Sequence, residues 1–461
     1  MNLSRRRFIR QAACAALGTT SIASTVWNLR ALNAAVAQSS TTSDYRALVC
    51  LFLYGGNDAN NLLVPVDNTN YNSYAAARGI LAIPQASLLP ISPATASADG
   101  RQYGLHPSCP ELQTLFGNGK LALLANVGTL VAPITRAQYF SGGAAVPPQL
   151  FSHADQQVEW QTSWPDSPQR TGWGGRMADL LVSMNGSASI SMSISLAGTN
   201  TFQVGNQVFG YQVSTSGPVG LSGTTGTNNA LRYQAIQNIL NLPAQNLYEA
   251  EFAKITNRAI ANYGTLNSLL VNQTALTTTF PTSNPLADQL KMIARLIGLR
   301  DSIGVKRQIF FCSIGGFDTH SDQLTGQSNL FAELSQALNA FYNATVELGV
   351  DSQVTTFTAS DFGRTFPTNG TASSSGSDHG WGSHHLVMGG AVKGGDIYGT
   401  VPTLVVNGPD DTGLGRWIPT TSVDEYSATL GTWFGVQSGD LSTVLPNIGR
   451  FGHPNLGFMN S

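Results

Sequence analysis

Four segments of this chain hold side chains of the types that bind divalent metals. GGNDANN carries Asp58, GGFDTH carries Asp318 and His320, SDFGRT carries Asp361 with Arg364, and DHGWGSHH carries Asp378, His379, His384 and His385. Carboxylate oxygens mixed with imidazole nitrogens suit zinc or manganese better than calcium, which takes oxygen ligands. One residue separates Asp318 from His320, so a tight loop can turn both toward one ion. An aspartate ligand at Asp361 beside Arg364, a clamp for an oxyanion, fits phosphate or sulfate ester chemistry. Each reading has a structural alternative: Asp58 in an Asx-turn, Asp361 and Arg364 in an ion pair that holds their loop. His379 is the leading ligand of its segment. His384 and His385 cannot both face the same centre, because neighbouring strand side chains point to opposite faces.

The candidate nucleophile is Ser152, which precedes the helix-like run Ala154–Thr162. Free amide groups at a helix start favour an anion, although an ordinary N-cap explains the same residue. His106, in GLHPSCPEL, has a capping role or a site role, Asp322 reads as a helix cap or a solvated side chain, and His453 reads as a surface or packing histidine.

Residues so far apart meet only on a scaffold that gathers distant loops. Apolar, strand-like runs at Ala47–Tyr54, Gln308–Ile314 and Gln353–Ala359 each end directly in one of the acidic loops. In an open α/β sheet the crevice beyond the carboxyl ends of the strands is where ligands bind, so the expected fold is α/β with these loops converging. Helical patterns occupy Ala230–Leu240, Asn246–Thr274, Leu286–Ile303 and Asn329–Leu348. From Ser187 the residues alternate serine with Ala, Ile, Met and Leu, a period-two strand pattern, and further strands are expected at Thr201–Phe209 and Tyr211–Ser214. The stretch at about 185–229 therefore reads as a β-rich insertion. Pro367–Ser377 reads as a mobile loop beside the site. Cys50 and Cys312 lie in expected core strands and read as buried small hydrophobes.

Ser4-Arg5-Arg6-Arg7-Phe8-Ile9-Arg10 is a twin-arginine export motif, followed by a weakly apolar stretch and by Ala35-Val36-Ala37 as a cleavage site. Residues 1–37 are therefore expected to be a signal peptide read by the twin-arginine machinery, and 38–461 the exported, periplasmic or secreted domain. Without them 19 basic residues face 26 acidic ones, and no basic patch points to nucleic acid. No later run has the length of a membrane span.

The succession FLYGGNDANN, GLHPSCPEL, FSHADQ, GWGGR, GGFDTH, SDFGRT, DHGWG, VMGGAVKGG and RWIPTTSVDEYSATLGTWFGV resembles DUF1501, an exported family of unknown function, over nearly the whole chain after the leader. That family is in turn similar to the alkaline phosphatase and sulfatase superfamily. The resemblance implies a three-layer α/β/α sandwich with Asp and His ligands for two metals at the strand ends. It implies a metal role for Asp58, for Asp318 with His320, for Asp361 and for His379, with Ser152 as nucleophile. Two departures stand out: Thr319 alone separates Asp318 from His320, and Phe362 stands where the superfamily has a histidine. Asp378 or His384 would then supply a ligand, and one or two ions would be held. The implied function is an exported metal-dependent hydrolase of phosphate or sulfate esters; the alternative is a catalytically silent metal-binding or scaffold protein.

Overall fold

The computed structural model describes residues 44–460 apart from 98, 169 and 225. The twin-arginine motif and the cleavage site lie outside the described residues. Ten strands form one mixed sheet. They are β1 (Arg46–Leu53), β2 (Leu121–Gly128), β3 (Ser193–Ser195), β4 (Tyr211–Ser214), β5 (Gly217–Pro218), β6 (Arg307–Ile314), β7 (Val354–Ser360), β8 (Ser383–Gly389), β9 (Ile397–Tyr398) and β10 (Thr421–Ser422). Their spatial order is β9, β2, β8, β7, β1, β6, β3, β4, β5, with β10 also paired to β2.

The three runs that end in acidic loops are neighbours at the centre of this sheet. β1 is parallel to both β6 and β7, and Leu53 is in register with Ile314 on one side and Ser360 on the other. The strands stop level, so their loops leave from one edge. β8 runs antiparallel to β7. Its start at Ser383 lies at the same edge and brings Asp378 and His379 there.

The longer helices are α1 (Asn68–Arg78), α2 (Pro110–Gly117), α3 (His153–Thr162), α4 (Trp173–Leu181), α5 (Thr227–Leu240), α6 (Leu247–Val271), α7 (Pro285–Gly298), α8 (Gln323–Glu347) and α9 (Val423–Phe434). β1 is buried from Ala47 to Leu53 and apolar throughout, as a parallel strand covered on both faces must be. Val49, Leu51 and Leu53 enter a core built with α2, α7, α8 and the end of α6. Leu48, Cys50 and Phe52 enter a second core with α3, α4 and α9. Two cores on opposite faces of one sheet make the expected three-layer α/β/α arrangement. Local signals agree with this packing in α7: Asn284 accepts from the Ala287 amide as N-cap, Pro285 follows, and Leu286, Leu290, Ile293 and Ile297 form the buried stripe.

Three expectations need correction. The helix expected over Leu286–Ile303 ends at Gly298, and Arg300–Ile303 is a separate turn. Thr201–Phe209 forms no strand, because side chains take its amides: Gln161 accepts from Thr201 and Phe202, and Asp179 accepts from Asn206, Gln207 and Val208. Of the alternating serine segment only Ser193–Ser195 is strand; β3 pairs with β6, and β4 and β5 continue outward, so this region extends the main sheet at its edge.

Candidate metal centre

The sharp exit from β1 is made possible by two glycines. Gly55 has φ +112° and Gly56 φ +83°; a Cβ on Gly55 would collide with the backbone of Phe317 and Asp318, and one on Gly56 would lie 2.5 Å from the Phe362 ring. The three acidic loops are thereby packed on one another. The side chains they present, however, take different roles.

Asp318 is the centre of the cluster. Its Oδ1 lies 3.1 Å from His320 Nε2, 3.4 Å from His153 Nε2 and 3.5 Å from His379 Nε2. The Nε2 atoms of His320 and His379 are 2.9 Å apart. Ligand atoms from His153, Asp318 and His379 all lie within 4.8 Å of one another.

Each imidazole is held by its other nitrogen. His153 Nδ1 is 2.6 Å from Asp361 Oδ2, His379 Nδ1 is 2.7 Å from the Phe151 carbonyl and His320 Nδ1 is 3.0 Å from Asp378 Oδ1. All three partners are acceptors, so in the neutral rings the proton sits on Nδ1 and the Nε2 lone pair is free. Three lone pairs and a carboxylate oxygen therefore face one another. His153 Nε2 is buried without a hydrogen-bond partner. Donors about 2.0–2.1 Å from a tetrahedral zinc ion stand about 3.3 Å apart; the distances of the three imidazoles from Asp318 Oδ1 are close to this, and His153, Asp318 and His379 form the set whose ligand atoms are all mutually near, so these three fit such an ion, with His320 beside them. The outer acceptors match the carboxylate and carbonyl partners that orient metal-binding histidines.

The elements explain the placement. His153 and Gln157, one turn apart on α3, both reach Asp361 Oδ2, Gln157 donating at 2.9 Å, while Asp361 Oδ1 accepts from the Gly55 amide. Phe151 takes φ 73°, uncommon for an aromatic residue, and this turns its carbonyl to His379. Arg416 stacks over the Phe151 ring and donates to the His379 carbonyl. Phe362 lies against the rings of His153 and His379, with centroids 4.8 and 4.7 Å away. It is an apolar wall that fixes two imidazoles.

Electrostatics favour the ionised carboxylate. Partial burial alone would raise the pKa of Asp318, but the hydrogen bond and charge of Arg364, helped by His153 and His320, hold it below the ordinary range. Partial burial, with Arg364 and the neighbouring histidines, lowers His379 against the pull of the Phe151 carbonyl. Asp318 and His320 remain about half exposed, so the centre opens to solvent.

Several residues singled out by motif lie elsewhere. Asp58 forms a buried ion pair with Arg78 and also accepts from Gln323 Nε2 and Asn60. Arg78 donates onward to the carbonyls of Thr365 and Phe366, so this pair ties α1 to the third acidic loop. Arg364 pairs with Asp318 at 2.8 Å rather than with Asp361, and its buried guanidinium also donates to the Gly55 and Ser377 carbonyls. It positions Asp318 and is not free to clamp an anion. Asp361 and Asp378 orient imidazoles from outside the cluster. His384 is buried and accepts from the Asn126 amide; burial lowers its pKa to about 4. His385 points to the opposite face, against Trp160 and Tyr426, with its pKa lowered to about 3 by burial and then by His384. Both are structural.

Ser152 does sit at the start of α3, but its hydroxyl donates to Asp155 Oδ2 at 2.6 Å and makes no hydrogen bond to the cluster. The 367–377 stretch is anchored, with Asn369 donating to the His320 carbonyl and to Asp378. Asp322 precedes α8 with φ 49° and makes no side-chain cap. The residue that motif reading passed over is His153. Its signal was present: an imidazole beside the candidate serine, with Gln157 on the same helical face.

The chain is similar in structure to a sulfatase, PsFucS1, from Pseudoalteromonas sp., with TM-score 0.37 and 9% identity over 90% of this chain and 73% of that one. It is also similar to Ps i-CgsB, solved in complex with k-i-k-neocarrahexaose, with TM-score 0.35 and 9% identity over 89% and 77% of the two chains. No curated protein matches the chain. The sequence model of DUF1501, described as a protein of unknown function, matches residues 45–412, and the chain belongs to that family.

Proposed function

We propose that this protein is an exported hydrolase of phosphate or sulfate esters that holds one divalent ion between His153, His379 and Asp318, with His320 as the adjacent imidazole. The observation that carries the reading is the convergence of three imidazole Nε2 atoms on Asp318 Oδ1 while every Nδ1 is engaged with an acceptor. A mixed nitrogen and oxygen set favours zinc, then manganese. Bound there, such an ion would polarise an ester oxygen and lower the pKa of water.

The chain's own residues would do the rest. Arg364 keeps Asp318 ionised and in place. Asp361, Asp378 and the Phe151 carbonyl hold the Nδ1 protons and aim the lone pairs. Ser152 is the expected nucleophile: Asp155, which already accepts its hydrogen bond, would take its proton as the Oγ bond to phosphorus or sulfur forms and the ester's alcohol leaves, and water would then cleave the seryl ester to free the serine. Export rests on the Ser4–Arg10 motif. No helix among the described residues is long and apolar enough to cross a membrane.

A second reading, metal binding without turnover, is favoured by the commitment of Arg364 to structural contacts. Elemental analysis of the purified protein, followed by assays with aryl phosphates and aryl sulfates, separates the two. Stoichiometric metal with turnover that falls in Ser152→Ala supports the hydrolase. Metal without turnover leaves the binding role, and protein without metal after zinc loading rejects both.

A further inference from the structure

The α5–α6 hairpin is poorly covered by the rest of the chain. Of the twenty large hydrophobic residues exposed among the described residues, twelve fall between Phe209 and Val271. α6 buries only Asn262, Leu266 and Leu270, all in its second half, and among the described side chains of α5 only Leu240 is buried. Leu231, Ile239, Leu242, Leu247, Tyr248, Phe252 and Ile255 are between 56% and 88% exposed. Helices in proteins draw most of their stability from tertiary packing of an apolar face, and large apolar side chains left uncovered in this number mark an interaction surface.

We infer that this hairpin is a dimerisation arm whose occupant is the same hairpin of a second copy. Three observations select that occupant. The exposed stripe on α6, Tyr248, Phe252, Ile255 and Ala259, has the spacing 4-3-4, which reads the same in both directions. Two antiparallel copies related by a two-fold axis between Ala253 and Lys254 would set Phe252 against Ile255 and Tyr248 against Ala259 of the second copy. The same register sets Glu249, whose carboxylate also accepts from the Gln245 amide and from Asn246 at the start of α6, against Arg258, so the charges are complementary in the self-paired arrangement. The seven large side chains offer on the order of 900 Å² per copy, about what one partner contributes to a stable interface. α6 carries Glu249 and Glu251 as well as Lys254 and Arg258, and lacks the basic polar face of a membrane-lying helix. Pairing two hairpins would make a four-helix bundle.

Light scattering and sedimentation of the full protein between 1 and 100 μM test the inference. The expected result is a dimer that Tyr248→Glu with Phe252→Glu converts to monomer, with helical circular dichroism retained. Glu249→Arg alone should weaken the dimer at least about tenfold, and Glu249→Arg combined with Arg258→Glu should restore it. That rescue identifies the register even if the glutamate variants fail to fold. A monomer at 100 μM, a dimer indifferent to these substitutions, or a monomer that instead binds anionic phosphatidylserine vesicles through this stripe overturns it.

Discussion

His153 Nδ1 lies 2.6 Å from Asp361 Oδ2, the shortest of the three contacts that hold the imidazoles by their Nδ1 atoms. Asp361 is fully buried, accepts from Gly55 and Gln157 as well, and therefore acts on the cluster through His153. Asp361→Asn should leave the fold intact and weaken zinc binding by about 10–100-fold, the usual effect of removing such an outer partner. Competition against a zinc indicator measures this; unchanged affinity would show that His153 is not a ligand.

Histidines of the two kinds should respond differently. His153→Ala and His379→Ala each remove a donor, so bound metal should be lost with little change in apo stability. His384→Ala removes the acceptor of the buried Asn126 amide and should keep the metal while costing about 1–3 kcal/mol. Elemental analysis and urea midpoints on the same samples check both.

The Asp58–Arg78 pair is fully buried, so removing either partner leaves an isolated charge. Arg78→Met should cost about 3–5 kcal/mol in urea unfolding, and Asp58→Asn in the same chain should recover part of it. Metal content should not change in the double variant. Loss of metal there, with the fold retained, would return Asp58 to the ligand set.

Stability should peak near pH 6.5. Burial raises Glu159 to about 8, against hydrogen bonds from Gln156 and Thr129, and raises Asp424 to about 7, against Ser163 and Arg176. Above the ordinary carboxyl range the unfolded chain has released protons that these folded groups keep, so stability falls as pH rises toward 7–8. On the other side, unfolded histidines take up protons below about 6.5. Folded His384 and His385 do so only near 4 and 3, and His106, also lowered by burial, near 4, so stability falls again as pH drops from 6.5. Urea unfolding from pH 4 to 9 gives the profile, and Glu159→Gln should flatten its alkaline limb.

By itself the sequence determined the three strand-to-loop junctions, the α/β class and most helices, while the three-layer arrangement was an expectation carried by the family resemblance. Apolar runs bounded by Gly-Gly turns and the stripe of α7 are local signals, and burial on two sheet faces follows from them. Asp318, His320 and His379 were legible as candidate ligands because their loops leave one edge of the sheet. Tertiary structure alone decided which donors meet. Asp58 and Asp361 occupy equivalent strand ends, yet Asp58 turns to Arg78 and Asp361 to His153, partners supplied by α1 and α3 rather than by their own loops. The direction of a side chain at a sheet edge depends on what packs above it. For this chain that meant an aromatic wall at Phe362, a positive-φ carbonyl at Phe151 and the partner met by His153: the helix that carries this histidine was legible at Ala154–Thr162, but the loops it would face were not.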